Sequence, residues 1–566
     1  MAALTISTRA DAAFTTPQCQ GADITGRGAS FARDAHQVFR QHFEVFFCAG
    51  DPDPVVDYEA LGSGAGREVV GARRGANATG VNSRNQVPRF GMTDEPPSPT
   101  EVNQINTGTD AVGDEDRIHV IPAAVGSVAP LVNFPNNCDV NLLDAANKTA
   151  ELGPGTVRVR FTKAKFEAAW AKDGGADNWT SLFPELGSDP DCNVPIIRVV
   201  RFDESGTSFT LKDYLDTINP GRGWLTTFAT GTGGTRNWPN AVFGPRADCA
   251  GASGPGSPGA PGDTDQLTSG CGNGNGSLVS KLISTDGSIG YSDISTARTA
   301  SPSLAITPGG TDNDTYWTQI PNGNGCADRR SCTDGQFTEP TAAANGFRTD
   351  GLRGSNCQST TFTGVPESTL GDFSDASGVN APSGYGICTL TYGLLFDDYK
   401  KAYALQGNDE ERKARTVKDY WTDVVGGGQS VLFGQDYAPL PPGILALAQA
   451  GVNAVGFDKD ATGGGPGPGP GPAPVPDPVP GGGGNPPAAI PSNLFSVPRT
   501  VLLTKIGGAR FSVRLPGAGV VGMKATAKVG RGRIKVAGSR LVATRAGTYK
   551  VFLKPNKATR RLLNRR

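Results

Sequence analysis

The sequence predicts an α/β fold followed by a small all-β module. Three observations point there. From Ile24 to about Phe457, short apolar runs alternate with stretches of helical periodicity. A proline–glycine stretch then breaks every period. Beyond it, short strand-like runs recur with turns between them.

HVIPAAVGSVAPLVNF (119–134) and VPIIRVVRF (194–202) read as strands. FARDAHQVFRQHF (31–43) and ERKARTVKDYWTDVV (411–425) carry helical spacing; in the latter Val417, Trp421, Val424 and Val425 share a face. Two looser stretches, 244–276 and about 297–384, carry cysteines and read as stapled surface insertions. GGGPGPGPGPAPVPDPVPGGGG (463–484) cannot form helix or sheet and reads as the centre of a linker spanning 461–493. FSVRL, RIKVAG, RLVAT and TYKVFL follow as short strands of a sandwich-like module over 494–566, and the reading leaves open that this module is cut short.

A chain of 566 residues is too long for one core, so two or three domains are expected. The overall charge is nearly balanced, 53 basic residues against 54 acidic. The balance hides a split: Val497 to Arg566 contains 18 Lys and Arg and no Asp or Glu. An acidic body therefore carries a basic tail.

The ten cysteines are Cys19, Cys48, Cys138, Cys192, Cys249, Cys271, Cys326, Cys332, Cys357 and Cys388. None forms a CxxC pair. His36, His42 and His119 are the only histidines. Disulfides in an oxidising compartment fit this pattern better than zinc, so export is expected, to the outside or the cell surface. Chain neighbours are the expected partners: Cys249 with Cys271, Cys326 with Cys332, Cys357 with Cys388. His36 and His42 sit six residues apart on roughly opposite helix faces and read as solvated, not as metal ligands. Ala10-Asp11-Ala12 resembles the end of a signal peptide, so residues 1–23 read as a leader remnant. No run of 18 apolar residues is present.

The chemistry concentrates in VRFDESGTSFTLKDYL (200–215), which starts as a strand and ends as a helix. A helix start leaves backbone N–H groups unsatisfied and carries partial positive charge. Ser205, Gly206 and Thr207 would sit there, with Arg201 supplying a fork of donors. Such a corner cradles an anion. Ser and Thr are also ordinary N-caps, so the corner alone supports either reading. Gly28-Ala29-Ser30-Phe31, Gly62-Ser63-Gly64-Ala65-Gly66 and Phe90-Gly91-Met92-Thr93-Asp94-Glu95-Pro96, the last ending a strand with a carboxylate, repeat the chemistry elsewhere, and each alone also reads as a structural turn.

Eight segments in order carry a resemblance: ITGRGASF (24–31), YEALGSGAG (58–66), FGMTDEP (90–96), VAPLVNFP (128–135), VRFDESGTSFTLKDYL, NWP (237–239), NGSLVSKLISTDGSIGYSDI (275–294) and YAPLP (437–441). Over about 430 residues the chain resembles the phosphate-binding protein of the bacterial high-affinity phosphate ABC transporter, in the periplasmic-binding-protein-like superfamily. The resemblance implies a two-lobed type II binding-protein fold with a hinge. One lobe would comprise 24–125 and 293–460, the other 126–292. It implies inorganic phosphate as ligand and a membrane permease as partner. It implies Ser30 and Phe31 as ligands through hydroxyl and backbone N–H, with Ser63, Asp94, Arg201, Ser205, Gly206 and Thr207, and Asp203 holding the arginine. Ser30 stands where threonine is common, which keeps the hydroxyl. Glu204 stands where glycine is common, and a carboxylate beside an anion site weakens binding unless it points to solvent.

Asp94 makes physical sense only for a ligand that brings a proton. Phosphate near neutral pH can donate a hydrogen bond to a carboxylate; sulfate cannot, and would leave two acceptors facing each other. With the resemblance, the function expected is capture of phosphate for an importer by a monomer that is not an enzyme and needs no cofactor or metal. No HExxH, GxSxG or dense His/Asp cluster is present. Two other readings stand beside it: a phosphatase-like enzyme on the same fold, and a surface or matrix protein that has lost its ligand. For the basic tail, contact with an anionic cell-wall polymer is weighed equally against a plain β module. Nucleic acid is not expected.

Overall fold

The computed structural model describes residues 14–49, 54–71, 88–97, 117–148, 157–171, 176–201, 203–226, 274–300, 315–321, 337–341, 385–403 and 407–459, with 101, 102, 105, 238, 267, 268, 355 and 357 between them. Of the C-terminal part it describes the backbone of 502–503, 509–515, 519–529, 532–543 and 547–553. The chain forms two compact units, Met1–Gly465 and Pro466–Arg566.

The first unit is built on one nine-stranded sheet. Its strands are β1 (Ile24–Gly28), β2 (Val56–Glu59), β3 (Pro88–Thr93), β4 (Ile118–Asn133), β5 (Ile197–Val200), β6 (Leu267–Thr268), β7 (Ser288–Asp293), β8 (Thr315–Trp317) and β11 (Cys388–Phe396). They lie in the order β2-β1-β3-β11-β4-β7-β5-β6, with β8 also on β4. A separate two-stranded ladder joins β9 (Ile320–Pro321) to β10 (Phe337–Thr338). Parallel pairs occupy both ends of the main sheet, β2-β1-β3 on one side and β7-β5-β6 on the other. The antiparallel strands β11 and β4 join them.

β4 is the joint. Its residues Ile118 to Ser127 pair with β11, and Val128 to Asn133 pair with β7. All its residues are buried, which is why the stretch reads as a nearly unbroken apolar run instead of an alternating one.

Helices follow the strands. α1 (Arg33–His42) follows β1, α2 (Ser63–Val69) follows β2, and α3 (Gly206–Ile218) follows β5. α4 (Asn275–Ile283) precedes β7, and α5 (Gly407–Val424) follows β11 after a short helix at Tyr399–Tyr403. Val417, Trp421, Val424 and Val425 are all buried, as the periodicity of α5 predicts.

Several expectations need correction. His36 is not solvated: it is buried, stacked on Tyr58 at 4.5 Å, and its Nδ1 lies 2.5 Å from the Tyr420 hydroxyl. Burial, with the Arg40 charge adding, pushes its pKa down to about 3, so the ring stays neutral. His42 pairs with Asp423 at 2.8 Å. Both residues lie on a helix that packs α5 on one side, so the polar half of α1 is partly enclosed. Residues 14–23 belong to the folded body: Cys19 is bonded to Cys48, and the Ala22 N–H donates to the Arg412 carbonyl. The stretch read as an insertion from about 297 also contributes to the core, because β8 pairs with β4 and Trp317 is buried.

Of the expected disulfides, Cys357–Cys388 is formed. Cys138 bonds Cys192, and Cys19 bonds Cys48. Cys249, Cys271, Cys326 and Cys332 lie outside the described residues, as does the linker at 463–484. Among the described residues no helix is long and apolar enough to cross a membrane.

The second unit holds β12 (Leu502–Leu503), β13 (Ala509–Leu515), β14 (Gly519–Val529), β15 (Gly532–Ala543) and β16 (Gly547–Leu553). β12-β13-β16 form one small sheet and β14-β15 a hairpin. RIKVAG and RLVAT, expected as two strands, run together as β15. β14 was not anticipated, its two glycines having masked the alternation.

Candidate functional site

In α/β sheets, the loops beyond the carboxyl ends of parallel strands are where helix starts and side chains can converge. Here β1 leads to Ser30, β2 to Ser63 at the start of α2, and β3 to Asp94. From the other side of β4, β5 leads to Arg201 and the start of α3, and β7 ends on Asp293. Ser30, Ser63, Asp94, Arg201, Ser205, Thr207, Asn275 and Asp293 are all buried.

Ser63 ties the two sides together. Its Oγ accepts from the Asp94 N–H at 3.2 Å and from the Gly206 N–H at 3.1 Å. It also donates toward Asp94 Oδ2 at 3.4 Å, beside the Thr207 hydroxyl at 3.5 Å. The other carboxylate oxygen, Oδ1, accepts from the Thr391 hydroxyl at 2.9 Å. Gly206 permits this closeness. A β-carbon there would lie 2.6 Å from the Asp94 β-carbon, which real side chains essentially never allow.

Arg201 is held from two directions. Its Nε donates to Asp203 Oδ1 at 2.6 Å and one Nη donates to Asp203 Oδ2. The other Nη donates to the Asn275 side-chain oxygen. That leaves N–H groups on both Nη atoms for a ligand. Burial works against the Arg201 charge, but the Asp203 carboxylate outweighs it and the pKa is raised. Asp203 also accepts from the Gly274 N–H at 3.3 Å.

Ser30 lies in the same cluster, accepting from the Asn275 N–H at 3.0 Å. Phe31 is buried, its ring edge-on to Tyr437 and its carbonyl accepting the Tyr437 hydroxyl. The Ser205 hydroxyl caps α3, accepting from the Ser208 N–H at 3.2 Å, the ordinary role the sequence had left open. Glu204 does not simply point to water. Its Oε2 is buried, and a β-carbon on Gly64 would lie 2.8 Å from it, so the carboxylate rests on the first turn of α2.

Three residues of the cluster were not singled out from sequence. Asn275 is the hub: its oxygen takes Arg201, and its amide nitrogen donates to Asp293 at 2.6 Å and toward Thr207 at 3.4 Å. Asn275 and Asp293 fall inside the motif 275–294, where glycine before a helix start was the available signal. Thr391 lies mid-strand in β11, where no local pattern marks it.

Burial pushes the Asp94 carboxyl up to about 7; the Thr391 hydrogen bond and Arg201 charge oppose this, and the nearby Asp293 charge adds to it. Burial, reinforced by Asp34, likewise pushes Asp293 up to about 6 against hydrogen bonds from Thr296 and Asn275. The cluster thus combines a fixed cation, hydroxyl and backbone donors, and a carboxyl that exchanges its proton near neutrality. Such a set can enclose a small oxyanion that carries a hydrogen.

Residues 15–326 match the family described as the PBP superfamily domain. The chain belongs to the PBP superfamily. No curated protein matches it. Among solved structures, this PBP-superfamily chain is similar to a phosphate-binding protein from Stenotrophomonas maltophilia, at 17% identity and a TM-score of 0.45, covering 78% of this chain and 97% of that one. It is similar to a high-affinity periplasmic phosphate-binding protein solved with phosphate, at 18% identity and 0.46, with the same coverage. A third is a phosphate ABC transporter substrate-binding protein from Clostridium perfringens, at 13% and 0.35, covering 74% of this chain and 100% of that one.

Proposed function

We propose that this protein is an exported solute-binding protein that captures inorganic phosphate and delivers it to the membrane permease of an ABC-type importer. The observation that carries the reading is Asp94. A buried carboxyl sits among Ser63, Thr207, Thr391 and the clamped Arg201, with its proton exchange moved near neutrality. An anion site that contains an acid favours a ligand able to donate a proton to it. Above about pH 7, where the Asp94 carboxyl has released its own proton, phosphate still retains one and sulfate does not.

The two groups of parallel strands on either side of β4 are read as two lobes, 24–125 with 293–460 and 126–292, that close over the anion about β4 and β11. Contacts such as Ser63 with Gly206 would form on closure. Three disulfides among the described residues support an oxidising compartment.

Calorimetric titration of the full chain with phosphate, arsenate and sulfate tests the reading. Phosphate and arsenate should bind, sulfate at least about tenfold more weakly, the ratio that one imperfectly paired buried acceptor produces. Absence of a phosphate heat in the wild type, or equal affinity for sulfate, would overturn it.

A further inference from the structure

The second unit carries an inference of its own. β14 and β15 pair antiparallel, with Lys528 opposite Arg533, Thr526 opposite Lys535, Lys524 opposite Gly538 and Gly522 opposite Arg540. The register shift between Ala525 and Thr526 takes up the extra residue in β15. Opposite residues share a face, and residues alternate between faces along a strand. Lys524, Lys528, Arg533, Lys535 and Arg540 therefore fall on one face. Val521, Met523, Ala527, Ile534 and Leu541 fall on the other.

Two features of the charged face ask for an anion. Lys528 stands directly opposite Arg533, and like charges in that position destabilise a sheet. No Asp or Glu occurs between Val497 and Arg566, so no side chain of that stretch can neutralise the pair. A partner from outside can.

We propose that this hairpin face docks a linear polyanion, a cell-wall polymer of repeating phosphodiester groups. The face is two strands wide, about 5 Å between strands, and the cations extend over roughly 20 Å along them. That ribbon suits one extended chain better than a bilayer plane. The charged face includes no aromatic residue on which the bases of a single-stranded nucleic acid could stack. Its apolar residues, Val520 and Val542, stand opposite each other at the end of the ribbon away from Lys528 and Arg533, too few to enter a lipid surface as a patch. The choice of a wall polymer as the source rests on the export proposed above; the face itself does not depend on the phosphate site.

The test uses the full chain and poly(glycerol phosphate) as the probe. Binding should weaken as salt rises from about 50 to 200 mM, with a log–log slope of roughly −3, as several neutralised phosphates require. Lys524→Gln/Lys528→Gln/Arg533→Gln should lose at least tenfold in affinity and flatten the slope. Arg510→Gln/Arg514→Gln/Lys550→Gln, on the other sheet, should change it little. In the wild type, monomeric glycerol phosphate should not compete, a measurement that needs no variant to fold. Calorimetric phosphate titration should be the same in both triple variants, and polymer binding should survive Arg201→Ala, which separates failure here from failure of the phosphate reading. No binding at about 50 mM salt, equal losses in both triple variants, effective competition by the monomer, or tighter binding to phosphatidylglycerol vesicles or duplex DNA would each overturn the proposal.

Discussion

The Ser63 hydroxyl accepts a hydrogen bond from the Gly206 backbone N–H, 3.1 Å away, and so joins the start of α2 to the start of α3. The same oxygen takes the Asp94 N–H. One side chain therefore serves two buried donors, one just past β3 and one at the start of α3. Ser63→Ala leaves both without that acceptor, at about 1–3 kcal/mol each. We expect a lower melting temperature and weaker phosphate binding, with Ser63→Thr recovering part of both. Thermal unfolding and calorimetry check this; an unchanged melting temperature would mean that other acceptors take over the two N–H groups.

Asp94→Asn should narrow the preference for phosphate over sulfate. The amide can donate to a fully ionised oxyanion, so sulfate gains a partner where it met a like charge. The expected change in the affinity ratio is about tenfold or more. Titration of both anions into both proteins measures it, and a constant ratio removes Asp94 from the role.

The same substitution has a pH signature. In the folded protein the Asp94 carboxyl releases its proton near 7, whereas in the unfolded chain it does so in the ordinary carboxylate range near 3.8. A group raised on folding contributes its stability fully below the unfolded value and loses it as pH rises through the folded one. The melting temperature of Asp94→Asn relative to wild type should therefore climb between pH 4 and 7 and level off above. Lys212, pushed down to about 7 by burial against the opposing Glu95 charge, acts in the opposite sense, losing stability as pH falls from 10.5 to about 7 and levelling off below. Taking the difference between the two proteins removes that contribution. A flat difference across the range would contradict the buried carboxyl.

Arg201→Lys keeps the charge but loses the planar fork that Asp203 and Asn275 clamp. Phosphate affinity should fall by at least about tenfold, consistent with loss of a charge-assisted hydrogen bond. Asn275→Ala should fall similarly, because its oxygen positions Arg201 while its nitrogen satisfies Asp293. It should also shift the pH dependence of binding, since Asp293 loses a hydrogen bond that holds its pKa down. A merely structural Asn275 would lower stability and leave that pH profile where it was.

Glu204→Gln should tighten phosphate binding, by roughly two- to tenfold, and most at low ionic strength, where unscreened charge reaches furthest. The carboxylate rests on the first turn of α2, next to Ser63. Titration at two salt concentrations decides; no change at low salt would place the Glu204 charge out of reach of the anion.

Much of this was legible in the chain itself. The strands at 119–134 and 194–202, the buried face of α5, and the loops bearing Ser30, Ser63, Asp94 and Arg201 follow from local pattern, because strand alternation, helix spacing and helix-start chemistry act over a few residues. The clamp of Asp203 on Arg201 spans two positions and was readable for the same reason. The partners of those loops were not. Thr391 reaches Asp94 from 297 positions away, Asn275 joins Arg201 across 74, and His36 meets Tyr420 across 384. Nothing near them in sequence announces such contacts. They exist because β4 pairs with β11 along one half and β7 along the other, which brings strand ends from both sides of the sheet to one place. Residue types and local shape come from short-range chemistry; which groups share a proton, a charge or a hydroxyl is decided only when burial forces distant polar atoms to satisfy one another.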